Sequence, residues 1–244
     1  MKMPGRWLSL NNLENNLLKP RYMRNVNALS AQDVLQLHSA KVCVIGVGGL
    51  GGYVVEILAR IGVLNITIVD YDVFEANNLN RQLFSEEALL GTYKADAAVA
   101  RIAKVNTDVT IIAIKEKLTT DNAQAILAGH DVVVDALDNI QTRLILAENC
   151  ARLDIPMVHG SIAGWYGQVA SVFPGDDTMQ KLFGDVKAER GIEKNLGNLP
   201  FTASTIASFQ CAECIKILTG KNVVRNAILH IDLLNWQFHT IPLG

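Results

Sequence analysis

Short apolar runs alternate with amphipathic stretches along most of the chain. KVCVIG (41–46), NITIVD (65–70), VTIIAI (109–114), DVVVDA (131–136) and PMVHG (156–160) are β-branched and bounded by Gly, Pro, Asn or Asp. Such runs predict strands covered on both faces. Helical spacing fills the gaps at 50–61, 94–105, 121–128 and 139–153, and Ser30 with Asp33 forms a capping-box-like start to a helix over 30–38. Strands alternating with helices of about 10–15 residues predict a parallel sheet built by right-handed crossovers. After Trp165 the pattern changes. A strand is expected at 167–173, a turn at 174–177, and a functional or mobile loop over 174–200. A helix at 202–219, apolar nearly all round, then precedes two strands at 227–233 and 236–241 that pair antiparallel. The expected architecture is α/β, a Rossmann-like doubly wound, mostly parallel sheet with a C-terminal antiparallel extension. Its organisation is an N-terminal arm (1–29) and one nucleotide-binding domain (30–244).

Composition narrows the class. The 244 residues are 50% hydrophobic and 19% charged, which excludes intrinsic disorder. The formal net charge of −2 argues against bulk attraction to nucleic acid. Neither a secretory signal nor a membrane span is legible, so the expected compartment is the cytoplasm. The four cysteines, Cys43, Cys150, Cys211 and Cys214, are too few in a chain this long for a disulfide framework.

The first strand runs into Gly46-Val47-Gly48-Gly49-Leu50-Gly51-Gly52 and then a helix. This is GxGxxG in its required context. Glycines let the backbone approach a phosphate, and the helix N-terminus supplies N–H donors. Asp70 ends the next strand nineteen residues after Gly51, the position of a ribose-binding acid. The fingerprint alone leaves the nucleotide open and favours NAD or FAD.

The next segments shift that balance. Arg81 and Lys94 lie where strands hand over to helices. A triphosphate needs more fixed positive charge than a dinucleotide. Either residue could instead be an ordinary surface cation, but a Lys at a helix start opposes the macrodipole and points to a ligand. Asp138, in DALDN (135–139), lies at a strand tip. It is placed either to hold a phosphate-bridging Mg²⁺ or to cap the helix that follows.

RYMRN (21–25), GVGGLGG (46–52), IVDYD (68–72), NNLNRQ (77–82), GTYK (91–94), DALDN (135–139) and SIAGWYGQVASVF (161–173) resemble, in order and spacing, the ThiF/MoeB/HesA family, bacterial relatives of ubiquitin-activating enzymes. The resemblance covers roughly residues 20–240. It implies ATP- and Mg²⁺-dependent adenylation of the C-terminal Gly-Gly carboxylate of a ubiquitin-like sulfur carrier protein, as in thiamin or molybdopterin biosynthesis. It implies that Gly46, Gly48, Gly49 and Gly51 hold the nucleotide loop and that Asp70, with Asp72, serves the ribose side. Asn78, Arg81 and Lys94 would bind phosphates, Gln82 would belong to the same nucleotide-binding set, and Asp138 would take the Mg²⁺. Arg24 resembles an arginine that crosses a dimer interface into the partner's site, which implies a homodimer.

Departures from the family pattern matter equally. The paired CxxC motifs of zinc-bearing relatives are missing, and Cys211-Ala212-Glu213-Cys214 lies inside an apolar helix, so no zinc site is expected. Residues 174–200 contain no cysteine. The expectation is adenylation without a covalent cysteine intermediate, with a separate sulfur donor protein. His159 either lines the site or is a satisfied polar residue near the core. Trp165 either guides the carrier tail or packs the sheet edge. Two competing functions remain: a dehydratase of the same family that adenylates a tRNA-base carboxylate, and an NAD-dependent oxidoreductase.

Overall fold

The structure, a computed structural model, describes residues 19–184 and 193–244. The start of the arm (1–18) and the centre of the 174–200 segment (185–192) lie outside the described residues. Eight strands form one sheet: β1 (Lys41–Ile45), β2 (Asn65–Val69), β3 (Thr110–Ile114), β4 (Val132–Asp135), β5 (Met157–Ala163), β6 (Tyr166–Val172), β7 (Ala227–Asp232) and β8 (Gln237–Pro242). The order is β3-β2-β1-β4-β5-β6-β7-β8. The first five of these are parallel, and β5 through β8 pair antiparallel. This is the expected Rossmann-like sheet with its antiparallel extension.

Helices α1 (Ala31–Ser39), α2 (Gly51–Ile61), α3 (Lys94–Val105), α4 (Ala123–Leu127), α5 (Ile140–Arg152), α6 (Thr178–Phe183), α7 (Glu193–Leu196) and α8 (Pro200–Leu218) complete the fold. Strand alternation sorts the core into two layers. Val42 and Val44 of β1 face α2, α3 and α8, where Val54, Leu58, Ile102, Ile206 and Cys211 are buried. Cys43 and Ile45 face the other way, against Leu127, Leu146 and Cys150. A side chain buried as fully as Leu58 contributes about 1.5–3 kcal/mol relative to exposure. The apolar face of α8 spans both halves of the sheet, which accounts for its nearly all-round hydrophobicity.

Several boundaries differ from expectation. Strand β5 extends to Ala163 because Ser161, Ile162 and Ala163 gain partners in β6. Part of the segment read as a loop is helical: α6 forms over Thr178–Phe183, with Met179 buried against the α5 layer. The described part of the arm packs on the body. Tyr22 is buried with Ala31 and Val34, and its hydroxyl accepts a hydrogen bond from Asn106 Nδ2. The Ser30–Asp33 capping box forms as expected.

Candidate active site

In the strand order, β1 is flanked by β2 on one side and β4 on the other, so the crossovers leave in opposite directions between β1 and β4. Ligands bind outside the carboxyl ends of strands at such a switch point. A cavity of about 590 Å³ lies there, lined by Gly46, Gly48, Gly49, Asp70, Asp72, Arg81, Gln82, Lys94 and Asp138. Its other wall comes from β5–β7, through Ser161, Tyr166, Gln168 and His230, and from Phe183 and Asn198.

The Gly loop is shaped by close backbone contact. A Cβ on Gly51 would sit 1.8 Å from the Gly46 carbonyl oxygen. Gly46 has φ +94°, and its own Cβ would meet the Ala136 carbonyl at 2.7 Å. The loop therefore lies directly on the β4 tip. No side chain caps α2; Gly52 N donates to Gly48 O at 3.1 Å, and an uncapped helix N-terminus of this kind is where an anion finds backbone donors.

Asp70 is buried at the end of β2. Its Oδ2 accepts from Val47 N (2.7 Å) and its Oδ1 from Asp72 N (2.8 Å). Burial pushes its carboxyl above the ordinary value, and the two N–H donors and Lys94 pull against that. Asp70 thus ties the Gly loop to the β2 tip while lining the cavity.

Lys94, 6% exposed, opens α3, and its Nζ bonds Asp72 Oδ2 at 2.9 Å. The lysine that opposes its helix dipole is held at the cavity wall by a half-exposed carboxylate. Arg81 is half-buried. Its guanidinium donates to Asn77 O (2.8 Å) and Asn80 Oδ1 (2.9 Å). Burial lowers its pKa, opposed by the field of Asp138. Arg81 and Asp138 are thus electrostatic neighbours across the cavity mouth.

Helix α5 is capped by Asn139, whose Oδ1 accepts from Thr142 N at 2.9 Å. The capping role considered for Asp138 belongs to its neighbour. Asp138 lines the cavity instead. One carboxylate beside two cations fits the way Mg²⁺ binds, through one or two protein carboxylates and phosphate oxygens. Among the described residues, no group of three or more His, Cys, Asp or Glu side chains is gathered to hold a metal by protein ligands alone.

Three sequence-derived candidates lie outside the cavity lining: Gly51, which abuts the Gly46 carbonyl, Asn78 and Arg24. Asn78 is buried within its own loop, accepting from Glu75 N (3.1 Å) and donating to Asn77. Arg24 is exposed on the arm, away from this chain's cavity. All four cysteines are free and buried. Burial raises the thiol pKa of each, to about 12 for Cys150 and Cys214.

Sequence reasoning missed a cluster beneath the cavity. Asp135 and His159 are both 0% exposed, with His159 Nδ1 2.7 Å from Asp135 Oδ2. Arg143 Nε lies 3.6 Å from the same oxygen. Burial alone would raise the Asp135 carboxyl, but Arg143, His159 and the Leu137 N–H hold it below the usual range. Burial and Arg143 lower His159, against the pull of Asp135. The available signal was Asp135 itself, a carboxylate in a wholly apolar strand, which requires a buried partner.

A switch-point cavity with a Gly loop, two cations and an acid beyond β4 marks the candidate site of this Rossmann-like α/β protein. The chain belongs to the ThiF family, whose description matches residues 22–244. It is 32% identical over 227 residues to the SAMP-activating enzyme E1 of Haloferax volcanii, covering 91% of this chain and 84% of that protein. It is 30% identical over 218 residues to the molybdopterin-synthase adenylyltransferase of Salmonella typhimurium, covering 85% and 84%. Against the adenylyltransferase and sulfurtransferase MOCS3 of Aedes aegypti it is 34% identical over 240 residues, covering 96% of this chain but 55% of that protein. The crystal structure of Escherichia coli MccB with ATP superposes with a TM-score of 0.79 at 20% identity, covering 100% of this chain and 80% of that one, a likeness of fold.

Proposed function

We propose that the chain is an adenylyltransferase that activates the C-terminal Gly-Gly carboxylate of a ubiquitin-like sulfur carrier protein with ATP. The observation that carries this reading is the convergence of Gly46, Gly48, Gly49, Arg81, Lys94 and Asp138 on one cavity. A dinucleotide diphosphate would leave that charge without work. The names of the Haloferax and Salmonella relatives support the same reaction class.

In this reading a carrier carboxylate oxygen attacks the α-phosphorus of ATP. The new bond is carboxylate O–P; the bond that breaks joins the α-phosphorus to the α,β-bridging oxygen, and pyrophosphate leaves with that electron pair. No protein nucleophile or general base is required, because the attacking carboxylate is already an anion. Catalysis is then positioning together with stabilisation of leaving-group charge. Asp138 would hold Mg²⁺, which supplies further neutralisation of the phosphates when bound. Arg81 and Lys94 bind the β- and γ-phosphates, and Lys94 exchanges its contact with Asp72 for one to phosphate. The α2 N-terminus and the Gly loop carry the remaining phosphate. Asp70 anchors the loop and faces the ribose, with Gln82 beside it. Asn78 serves by holding the Arg81 loop rather than by touching phosphate.

Two further elements belong to the proposal. The enzyme forms no thioester with its carrier, since each cysteine is buried and its thiol pKa raised, so a separate donor protein delivers sulfur to the acyl-adenylate. The enzyme works as a homodimer in which Arg24 reaches the partner's site.

The test is exchange of labelled pyrophosphate into ATP. Exchange that depends on a carrier ending in Gly-Gly supports the proposal. Exchange dependent on tRNA instead would assign the dehydratase branch, and tight NAD(H) binding without Mg-ATP binding would assign the oxidoreductase reading. A stable thiol-sensitive enzyme–carrier adduct would overturn the non-covalent route.

A further inference from the structure

Asp138 lines the cavity from the residue after Leu137. The backbone there is fixed from below. Leu137 N donates to Asp135 Oδ1 at 3.0 Å, and Arg143 donates a guanidinium N–H to Leu137 O. The same Arg143 nitrogen reaches Gly160 O at 3.3 Å, tying the tip to β5. Both backbone polar atoms of Leu137, the residue before Asp138, are thus held by two buried charged side chains.

Asp135 in turn is oriented by His159. An ionised carboxylate only accepts, so His159 Nδ1 must carry the proton in the 2.7 Å contact. Its Nε2 is then an acceptor. Gln168 Nε2 lies 3.4 Å away and offers the donor that this tautomer requires. Gln168 lines the cavity. The chain of contacts Gln168–His159–Asp135–Leu137 therefore runs from the β6 wall, beneath the floor, to the β4 tip. With an apolar residue at 159, Asp135 Oδ2 would lose its 2.7 Å donor and keep only Arg143 at 3.6 Å, which loosens the rotation that aims Oδ1 at Leu137.

We infer that His159 is a positioning residue, which through Asp135 and Leu137 sets where Asp138 presents its carboxylate. It touches no substrate. The inference rests on the adenylation reading, in that Asp138 is taken as the acid that meets metal-bound phosphate.

The experiment measures ATP affinity calorimetrically with Mg²⁺ and with EDTA, without any carboxylate acceptor, for the wild type, His159→Leu and His159→Asn. The readout is the gain in affinity given by Mg²⁺. Partners of this kind typically cost about tenfold or more in metal affinity when removed. The expected result is a Mg²⁺ gain about tenfold smaller in His159→Leu, unchanged affinity in EDTA, and recovery in His159→Asn, whose amide N–H takes the place of Nδ1–H. Should His159→Leu fail to fold, His159→Ser, whose hydroxyl falls short of Asp135, is compared with His159→Asn in the same way. An unchanged Mg²⁺ gain in the folded variant lacking the donor overturns the inference. Equal loss with and without Mg²⁺ also overturns it, because that pattern marks a merely structural role. A wild type with no Mg²⁺ gain at all would instead count against the adenylation reading, so the two failures are distinguishable.

Discussion

The two halves of the sheet end very differently. In the parallel half, β1, β2 and β4 point the same way, so their trailing loops converge. Each ends on an anion-binding loop or a charged residue: the Gly loop after Ile45, Asp70 after Val69, and Asp138 beyond Asp135. In the antiparallel half, β8 closes the sheet with its residues exposed, Phe238 at 48%, and Trp236 in the turn before it is 76% exposed. In the parallel half β1, β2 and β4 are buried on both faces, while the edge strand β3 is partly exposed. The antiparallel half gives the cavity its second wall through Tyr166, Gln168 and His230. Strand polarity thus puts the Gly loop and the charged residues on one wall of the cavity and the antiparallel strands on the other.

That contrast yields graded expectations. The largest effects belong to the charged corner. Arg81→Ala, Lys94→Ala and Asp138→Ala should each cut carrier-dependent pyrophosphate exchange by about a hundredfold or more, with melting temperatures near that of the wild type. Exchange surviving in all three would remove the site assignment.

Next comes the scaffold of the same half. Leu58→Ala should cost about 2–5 kcal/mol in chemical denaturation, the usual range for a truncated buried leucine. Gly51→Ala places a Cβ 1.8 Å from a backbone oxygen, so it should lose nucleotide affinity and melt earlier than the wild type.

A smaller effect concerns pH. Glu56 on α2 accepts from Arg60 (2.8 Å) and from Arg101 of α3 (3.0 Å). Burial would raise its carboxyl, but the two arginines hold it below the ordinary 4.5. A group whose folded pKa is depressed stabilises above its unfolded value and loses that contribution as pH falls through the folded one. Denaturation between neutral pH and acid should therefore show a shallower decline below pH 4.5 in Glu56→Gln than in the wild type. Identical acid limbs would contradict the pairing.

The smallest effect is expected at the opposite edge. Trp236→Ser should change stability by no more than about 0.5 kcal/mol, because the ring is exposed. A large loss would mean that the antiparallel edge is covered.

The parallel half was the more legible in sequence for the same physical reason. Strands buried on both faces leave continuous apolar runs, and the helix at Lys94–Val105 matches its periodicity to the residue. Beyond His159 the signal weakens. Ser161–Ala163 join β5 only through pairing with β6, and α6 depends on burial of Met179, a tertiary contact. In the site, Gly46–Gly51, Arg81, Lys94 and Asp138 were readable because each lies at a strand–helix handover. Asp135, Arg143 and His159 were not, because their partnership joins β4, α5 and β5 beneath the floor. Of the two roles open to Asp138 in the sequence, capping of α5 falls to Asn139, since both are good capping types and only geometry chooses between them.

The most direct measurement follows oxygen. A carrier labelled with heavy oxygen in its terminal carboxylate is incubated with enzyme and ATP, and the acyl-adenylate is captured by a thiol. If the carboxylate attacks the α-phosphorus at this corner, the released AMP carries one labelled oxygen and the pyrophosphate carries none. Unlabelled AMP, or label in inorganic phosphate alongside ADP, would contradict the account.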